Sequence, residues 1–346
     1  MNDPVLFSPL KCLACWQTDA EDRRLSASGG MATALGRYVI RQLGGSVCGV
    51  AYSDGLKPVF KCTDRIEDLE NFKGSKYVQS ELPPATVEQM REELSAGRTV
   101  LFIGLPCQVA AIGKLCSGLA GNLVTVDLIC HGVSPYGHFR DELDYLRKRH
   151  GLPEPSEVRF RSNDERNFHL SLWDGDRCIF DRPAYKEPYF SAFLQGIGLK
   201  EACYNCRFAK PGRTGDITLG DFIGLGKTVH FAYDEKNVSV MTANTGAGLR
   251  FVDEFLASSP EIFSVERDYG ERLEYAPSLR SAVRRPKSDA LFRMLVGKVR
   301  YAYAVRIALL PAETARRMLN SYVRMKRRLG INGPLRIRRK NGPDNL

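Results

Sequence analysis

The sequence predicts an α/β fold: a mostly parallel sheet with flanking helices, then a more irregular α+β module and a basic helical C-terminal tail. Three observations predict it. Within residues 1–150 short apolar runs alternate with segments of helical period, the pattern of a sheet covered on both faces. Beyond Gly151 the runs shorten and turns multiply. From Arg280 to the end, 18 Lys and Arg stand against 3 Asp and Glu, whereas residues 1–279 carry 32 basic against 37 acidic, so the net charge of +10 is a property of the tail. Three regions follow from this, 1–150, 151–279 and 280–346.

The elements are read in chain order. "MATALGRYVIRQL" (31–43) has apolar residues at helical spacing, preceded by the small-residue run "SASGG" that opens a helix. "GGSVCGVAY" reads as a turn and a strand. "PATVEQMREELSAG" is a helix closed by Gly97, and "TVLFIGLP" is a short buried strand. The pattern repeats with "QVAAIGKLCSGL" as helix and "LVTVDLICHG" as strand, and "SPYGHFRDELDYLRKRHG" adds an amphipathic helix. "EVRFRS", "HLSLWDGDRCIF" and "DITLGDF" are the shorter strands of the second module. Residues 287–330 are helical in period with Arg and Lys outward, and the last fifteen read as a frayed end.

With 346 residues, 43% of them apolar, the chain can bury a sizeable core. No basic leader with an apolar stretch and no run of eighteen apolar residues occurs, so a soluble, cytoplasmic protein is expected. Ten cysteines in a reducing compartment make disulfides improbable and metal or cluster ligation the leading idea. A basic tail fits an acidic partner or a membrane surface, or is a solvated helix with no ligand. No specific nucleic acid partner is expected.

In open α/β sheets ligands gather at the carboxyl ends of strands. Cys107 follows "VLFIGLP" and Cys130 closes "VTVDLI". On adjacent parallel strands ~4.8 Å apart their sulfurs would lie near one another. The pair Cys203 and Cys206 completes four thiolates, the set required by a cubane iron-sulfur cluster or a structural zinc. The scatter of the ligands over the fold favours the cluster, and ordinary burial of Cys107 and Cys130 is the competing reading. Cys48, Cys116 and Cys178 read as packing residues. Cys12 and Cys15 stay unassigned: they join Cys62 and a fourth ligand, form a redox pair, or do neither.

The ordered set "SASGG" (26–30), "FKGSKYVQS" (72–80), "VLFIGLPCQVAAI" (100–112), "DLICHGVSP" (127–135) and "CYNCRFAKPGRTGDITLGDF" (203–222) resembles the coenzyme F420 hydrogenase/dehydrogenase beta-subunit family. The resemblance spans about residues 20–250. It implies an FAD-binding oxidoreductase with a 4Fe-4S cluster, exchanging electrons with a small-molecule substrate or deazaflavin coenzyme and a one-electron donor such as a ferredoxin. Carried onto this sequence, Cys107, Cys130, Cys203 and Cys206 are the cluster ligands. Ser26, Ser28, Gly29 and Gly30 face phosphate at a helix start. Gly74, Ser75, Lys76 and Tyr77 meet the pyrophosphate or the flavin, Gln108 bonds the ring edge or caps a helix, and His131 tunes the cluster or relays a proton. Asp216 and Asp221 cap or orient backbone. The resemblance also suggests neighbours in surface polysaccharide synthesis.

The sequence departs from the family in three places. No eight-cysteine ferredoxin segment is present. Ile223 stands where the family reads Trp, and "FRSN" (160–163) replaces "FRxK". The substrate pocket is therefore expected to differ. Gly224–Thr228 does not make a phosphate loop, because Asp221 occupies the position of the required first glycine, and no GxGxxG follows a strand. The rival class is a zinc-stabilised, non-catalytic binding module whose basic tail contacts nucleic acid, lipid or a partner protein.

Overall fold

Five of the eight strands in the main sheet run the same way. The computed structural model describes residues 8–161, 168–233 and 237–310, with Thr314, Arg324 and Met325. Its strands are β1 (Lys11–Gln17), β2 (Ser46–Ser53), β3 (Lys57–Thr63), β4 (Val100–Gly104), β5 (Leu123–Leu128), β6 (Glu157–Arg161), β7 (Phe168–Asp174), β8 (Arg177–Pro183), β9 (Ile217–Asp221), β10 (Ser239–Ala243) and β11 (Ile262–Glu266). The main sheet has the order β11-β1-β10-β9-β5-β4-β2-β3. Its centre, β9-β5-β4-β2, is parallel throughout, and the alternation of strand and helix in the first 150 residues predicts the β5-β4-β2 part of it.

The period of two along each strand assigns side chains to the two faces. Leu13, Val47, Leu101, Leu219 and Met241 point to one face and pack under the helices Met31–Leu43 and Gly246–Ala257. Cys48, Val100 and Phe102 point to the other, under the helices Pro84–Ser95 and Pro106–Leu115, with Cys12, Ala14 and Trp16 of β1 in a neighbouring cluster. Helix Met31–Leu43 has the bounds its periodicity predicts, and it stops at Gly44, whose φ of +58° accepts the left-handed C-cap.

The second module is smaller than the 151–279 region drawn from sequence. β6, β7 and β8 form a separate antiparallel sheet over the helices Tyr136–His150 and Pro188–Leu194. "DITLGDF" instead supplies β9, which pairs in parallel with β5, and β10 and β11 extend the main sheet. These late strands complete a sheet begun 200 residues earlier, so the main layer is built from both sides of the insertion.

The tail is not uniformly solvated. Within helix 301–310, Tyr301, Ala302, Ala304, Val305, Ala308 and Leu309 are buried against the second module. Of the basic stretch beyond it, only Thr314, Arg324 and Met325 are described, so the expectation of an outward-facing helix to residue 330 and a frayed end lies outside the described residues. Among the described residues no helix is long and apolar enough to cross a membrane.

Two cysteine expectations change. Cys48 and Cys62 stand directly opposite on antiparallel β2 and β3, with Cα atoms 4.1 Å apart, and are joined in a disulfide. Cys48 is thus more than a packing residue, and the physical reason is register, which sets the two on the same side of one pair of strands. The pair Cys12 and Cys15 lies within a strand, so the odd offset of three sends the thiols to opposite faces of the sheet. Burial pushes Cys12 up to about 12 and raises Cys15 as well. They cannot chelate or pair with each other, and Cys62 lies at the far end of the sheet from β1.

Candidate functional site

The carboxyl ends of β4, β5 and β9 open on one cavity of about 570 Å³, within the size range of small-molecule and cofactor sites. Gly104, Leu128 and Gly220 mark the three strand ends in its wall.

One rim is the small-residue turn. Gly29 N–H donates to Ser239 Oγ at 2.9 Å, and Ser28 Oγ donates to the Val238 carbonyl at 3.1 Å, which fastens the turn to β10. No side chain fits at Gly29, where a Cβ would meet the Cys15 carbonyl at 2.5 Å. Gly30 has φ +84° and caps helix Met31–Leu43 without a side-chain bond. Among the described residues no side chain caps the first N–H groups of that helix, and Met31, Ala32 and Thr33 line the cavity with Ser26, Ser28 and Gly30. Gly29 is the exception among the expected contacts: it packs on the strands and does not line the cavity.

Gly74, Ser75, Lys76 and Tyr77 form a second wall. Lys76 Nζ donates to the Lys73 carbonyl at 2.9 Å and the Phe72 carbonyl at 3.3 Å, and burial pulls its pKa down to about 8. Tyr77 has its ring 5.4 Å from Phe190 and 4.8 Å from Phe193, and its hydroxyl accepts from Arg161 at 2.9 Å. Arg161 also binds Asp221 at 2.7 Å. Gln108 spends both ends of its amide on the fold: Oε1 accepts from Leu105 N–H at 2.8 Å, and Nε2 donates to Ser80 at 2.9 Å. It lines the cavity as a helix cap. His131 lies on the wall next to Cys130, 5.5 Å from the Phe193 ring, with its pKa lowered by burial.

The four cysteines approach from three segments. Cys107 begins helix Pro106–Leu115, Cys130 follows β5, and Cys203 and Cys206 flank the end of the short helix Glu201–Tyr204. Burial and then the charges of Cys206 and Cys203 raise the Cys107 thiol. Burial pushes Cys130 up to about 12, and Cys203, Cys107 and Cys206 add to it. Cys130 thus feels the other three members of the set, and Cys107 feels Cys203 and Cys206. Gly132 brings the segments together: its φ is +133°, its N–H donates to Cys130 Sγ at 3.3 Å, and a Cβ on it would lie 3.5 Å from Cys203 Cβ. Backbone N–H groups also favour the thiolates of Cys107 and Cys203, from Gln108 and Val133 among others.

Four cysteines whose thiolate forms would repel one another, three of them with N–H groups turned to the sulfur, are a donor set that fits an iron-sulfur centre, which such bonds tune. No group of three or more His, Cys, Asp or Glu side chains among the described residues is arranged to hold a single metal ion. A cubane spreads its thiolates farther apart than one tetrahedral ion does.

Several residues at the site were not singled out from sequence. Arg213 donates to Asp127 at 2.7 Å, and the other carboxylate oxygen of Asp127 accepts from Thr214 and Gly215 N–H at 2.9 Å. This ties the loop after Cys206 to the strand before Cys130. Asp216 accepts from Thr125 N–H at 3.0 Å and from Thr245 Oγ1 at 2.8 Å, which matches its expected backbone-orienting role. Asp221 differs, being the partner of Arg161. Arg272 reaches the cavity from helix Tyr269–Glu274, and no sequence motif marks it. Ser162 and Asn163 of the "FRSN" segment lie outside the described residues.

Comparison with known proteins gives two findings and one blank. Residues 97–261 match the family described as the C terminus of the coenzyme F420 hydrogenase/dehydrogenase beta subunit. The whole architecture is similar to a chain of the F420-reducing nickel-iron hydrogenase complex from Methanosarcina barkeri, with a TM-score of 0.53 and 17% identity over 91% of this chain and 96% of that one. No curated protein matches.

Proposed function

The chain belongs to the coenzyme F420 hydrogenase/dehydrogenase beta-subunit family through residues 97–261, an oxidoreductase family, and from that premise we propose that it is an iron-sulfur flavoprotein. In this reading Cys107, Cys130, Cys203 and Cys206 hold a 4Fe-4S cluster and the cavity holds FAD. The reading is supported by Cys130, whose thiol is raised in part by Cys203, Cys107 and Cys206 and which also lines the cavity. Bound side by side, the two groups would couple one-electron exchange with a donor such as a ferredoxin to hydride exchange with an organic substrate.

The chain's own residues have distinct tasks in this scheme. The N–H groups at the start of helix Met31–Leu43 and the ammonium of Lys76 bind anionic groups of the flavin. Tyr77, Phe193 and Phe190 form an aromatic wall that excludes water. His131 is the proton relay, placed beside Cys130 on the same wall. Ile223, 52% exposed and lining the cavity, leaves room where the family places a Trp, which favours a substrate of different outline at that mouth. The solved relative comes from an F420-reducing complex, so a deazaflavin coenzyme is the first substrate to test and a partner protein the first donor to seek.

The test is anaerobic reduction of the purified, flavin-loaded chain by a one-electron donor, followed at the flavin absorbance band. Stepwise bleaching followed by reoxidation with a deazaflavin supports the reading. A chain that binds no flavin would sink it.

A further inference from the structure

Arg272 is 3% exposed, and its Nε and Nη1 are buried without a hydrogen-bond partner. Its neighbours in the chain are not short of partners. Glu271 is held by Arg267 at 2.9 Å and by Gly226 N–H at 2.7 Å, so the helix is anchored without Arg272. The first acid acting on Arg272 is Asp221, which is already bound to Arg161 at 2.7 Å. A buried guanidinium with no counter-charge of its own is costly, and such a group persists where something absent from the free protein completes it.

The charge of the cavity points the same way. Among the described residues its charged lining is Lys73, Lys76, Arg161 and Arg272 against the carboxylate of Asp221. Lys73 is neutralised outside the cavity by Asp22 and by Glu70, and Arg161 by Asp221. Among the described residues Lys76 hydrogen-bonds only backbone carbonyls and lies 5.4 Å from the Tyr52 ring, the acid acting on it, Glu157, being paired with Arg159 at 2.7 Å, and Arg272 leaves two of its three nitrogens unbonded. Neither cation has an acid bonded to it among the described residues. A guanidinium presents a planar fork of N–H donors that matches phosphate oxygens, which is the geometry a phosphate ester offers.

We propose that Arg272 seats a phosphate or pyrophosphate group of the ligand bound in this cavity. The inference deepens the flavin reading and rests on it for the ligand's identity. The group comes either from the flavin dinucleotide or from a phosphorylated substrate sharing the cavity.

The experiment is calorimetric titration of the full chain with inorganic pyrophosphate, for the wild type, Arg272→Met and Arg272→Lys. A loss of about tenfold or more in affinity for Arg272→Met, with a smaller loss for Arg272→Lys, is expected. The melting midpoint of ligand-free Arg272→Met should be equal to the wild type or higher, because an unpaired charge has been removed; a structural arginine gives a lower one. Equal pyrophosphate affinity in the wild type and Arg272→Met, or none in the wild type, overturns the proposal. Parallel titrations with riboflavin and FAD identify the source. Selective weakening of FAD assigns the flavin's pyrophosphate, and unchanged FAD binding with weakened pyrophosphate assigns a substrate phosphate. Arg272-dependent pyrophosphate binding in a chain that takes no flavin would end the flavin reading and leave this one standing.

Discussion

Arg213 lies 2.7 Å from Asp127, with their side chains only 2% and 0% exposed, and the pair joins the loop after the CxxC cysteines to the strand that leads to Cys130. The same carboxylate accepts two backbone N–H groups, so its charge is fully met inside the protein. Without it, two segments that carry three of the four cysteines lose their common anchor.

Asp127→Ala leaves Arg213 buried without its counter-charge, with only Thr218 Oγ1 at 3.3 Å to accept from it, and a loss of about 3–5 kcal/mol in stability is expected. The double variant Asp127→Leu with Arg213→Met should lose less, since it removes both charges. Urea denaturation of the three proteins checks the order. Equal losses would show that the pair does not act as a unit.

Much of the fold was legible where its determinants are local. Helix Met31–Leu43 follows from its own period and the Gly44 cap, and the parallel core from apolar runs separated by helices. β1 was not legible, because Lys11–Gln17 pairs with β10 and β11 more than 220 residues away and its CxxC mimics a ligand motif. The Cys48–Cys62 bond is likewise a fact of strand register, invisible until β2 and β3 are paired. At the site, the stretches around Ser26 and Lys76 stand out by their small residues, and both line the cavity. Arg272 had no signal, since a charged residue in a short helix reads as surface until the fold closes over it.

Lys76 gives ligand binding a pH dependence. Its pKa of about 8 means that the ammonium is lost as pH rises through that value, so affinity for an anionic ligand should fall above pH 8. The ligand-free protein should show the opposite slope in stability. Between about 8 and the ordinary lysine value of 10.5 the unfolded chain binds more protons than the folded one, so stability contributed at this site rises with pH. Lys76→Met should flatten both profiles, measured by ligand titration and by denaturation across pH 7–10.

Glu142 and Glu187, each 1% exposed, face each other in the second module. Burial raises both, Glu187 to about 7, while Glu187 accepts from Phe190 N–H at 2.6 Å and Tyr189 N–H at 3.2 Å. Because the folded pair holds protons that the unfolded chain releases near pH 4.5, its contribution is present at low pH and is lost as pH rises through about 7. Glu142→Gln removes the part of this slope that Glu142 contributes and should stabilise the protein at pH 8, while buried Glu187 keeps its own. A variant less stable than the wild type there would contradict the pairing.

Gly29→Ala forces a Cβ against the Cys15 carbonyl and Ser239 N, which are backbone atoms of two central strands. A loss of about 1–3 kcal/mol is expected, together with weaker ligand binding as the turn shifts from the cavity rim. Thermal melting and flavin titration of the same variant check both effects.

The most direct measurement is iron, sulfide, zinc and flavin content of the full chain purified without oxygen, compared between the wild type and Cys203→Ser. A brown wild-type protein with about four irons per chain and bound flavin, and a variant that has lost the visible iron-sulfur absorbance, is the predicted result. A colourless wild type holding one zinc, or a variant whose iron and spectrum are unchanged, would contradict the gathering of these four thiols around one inorganic centre.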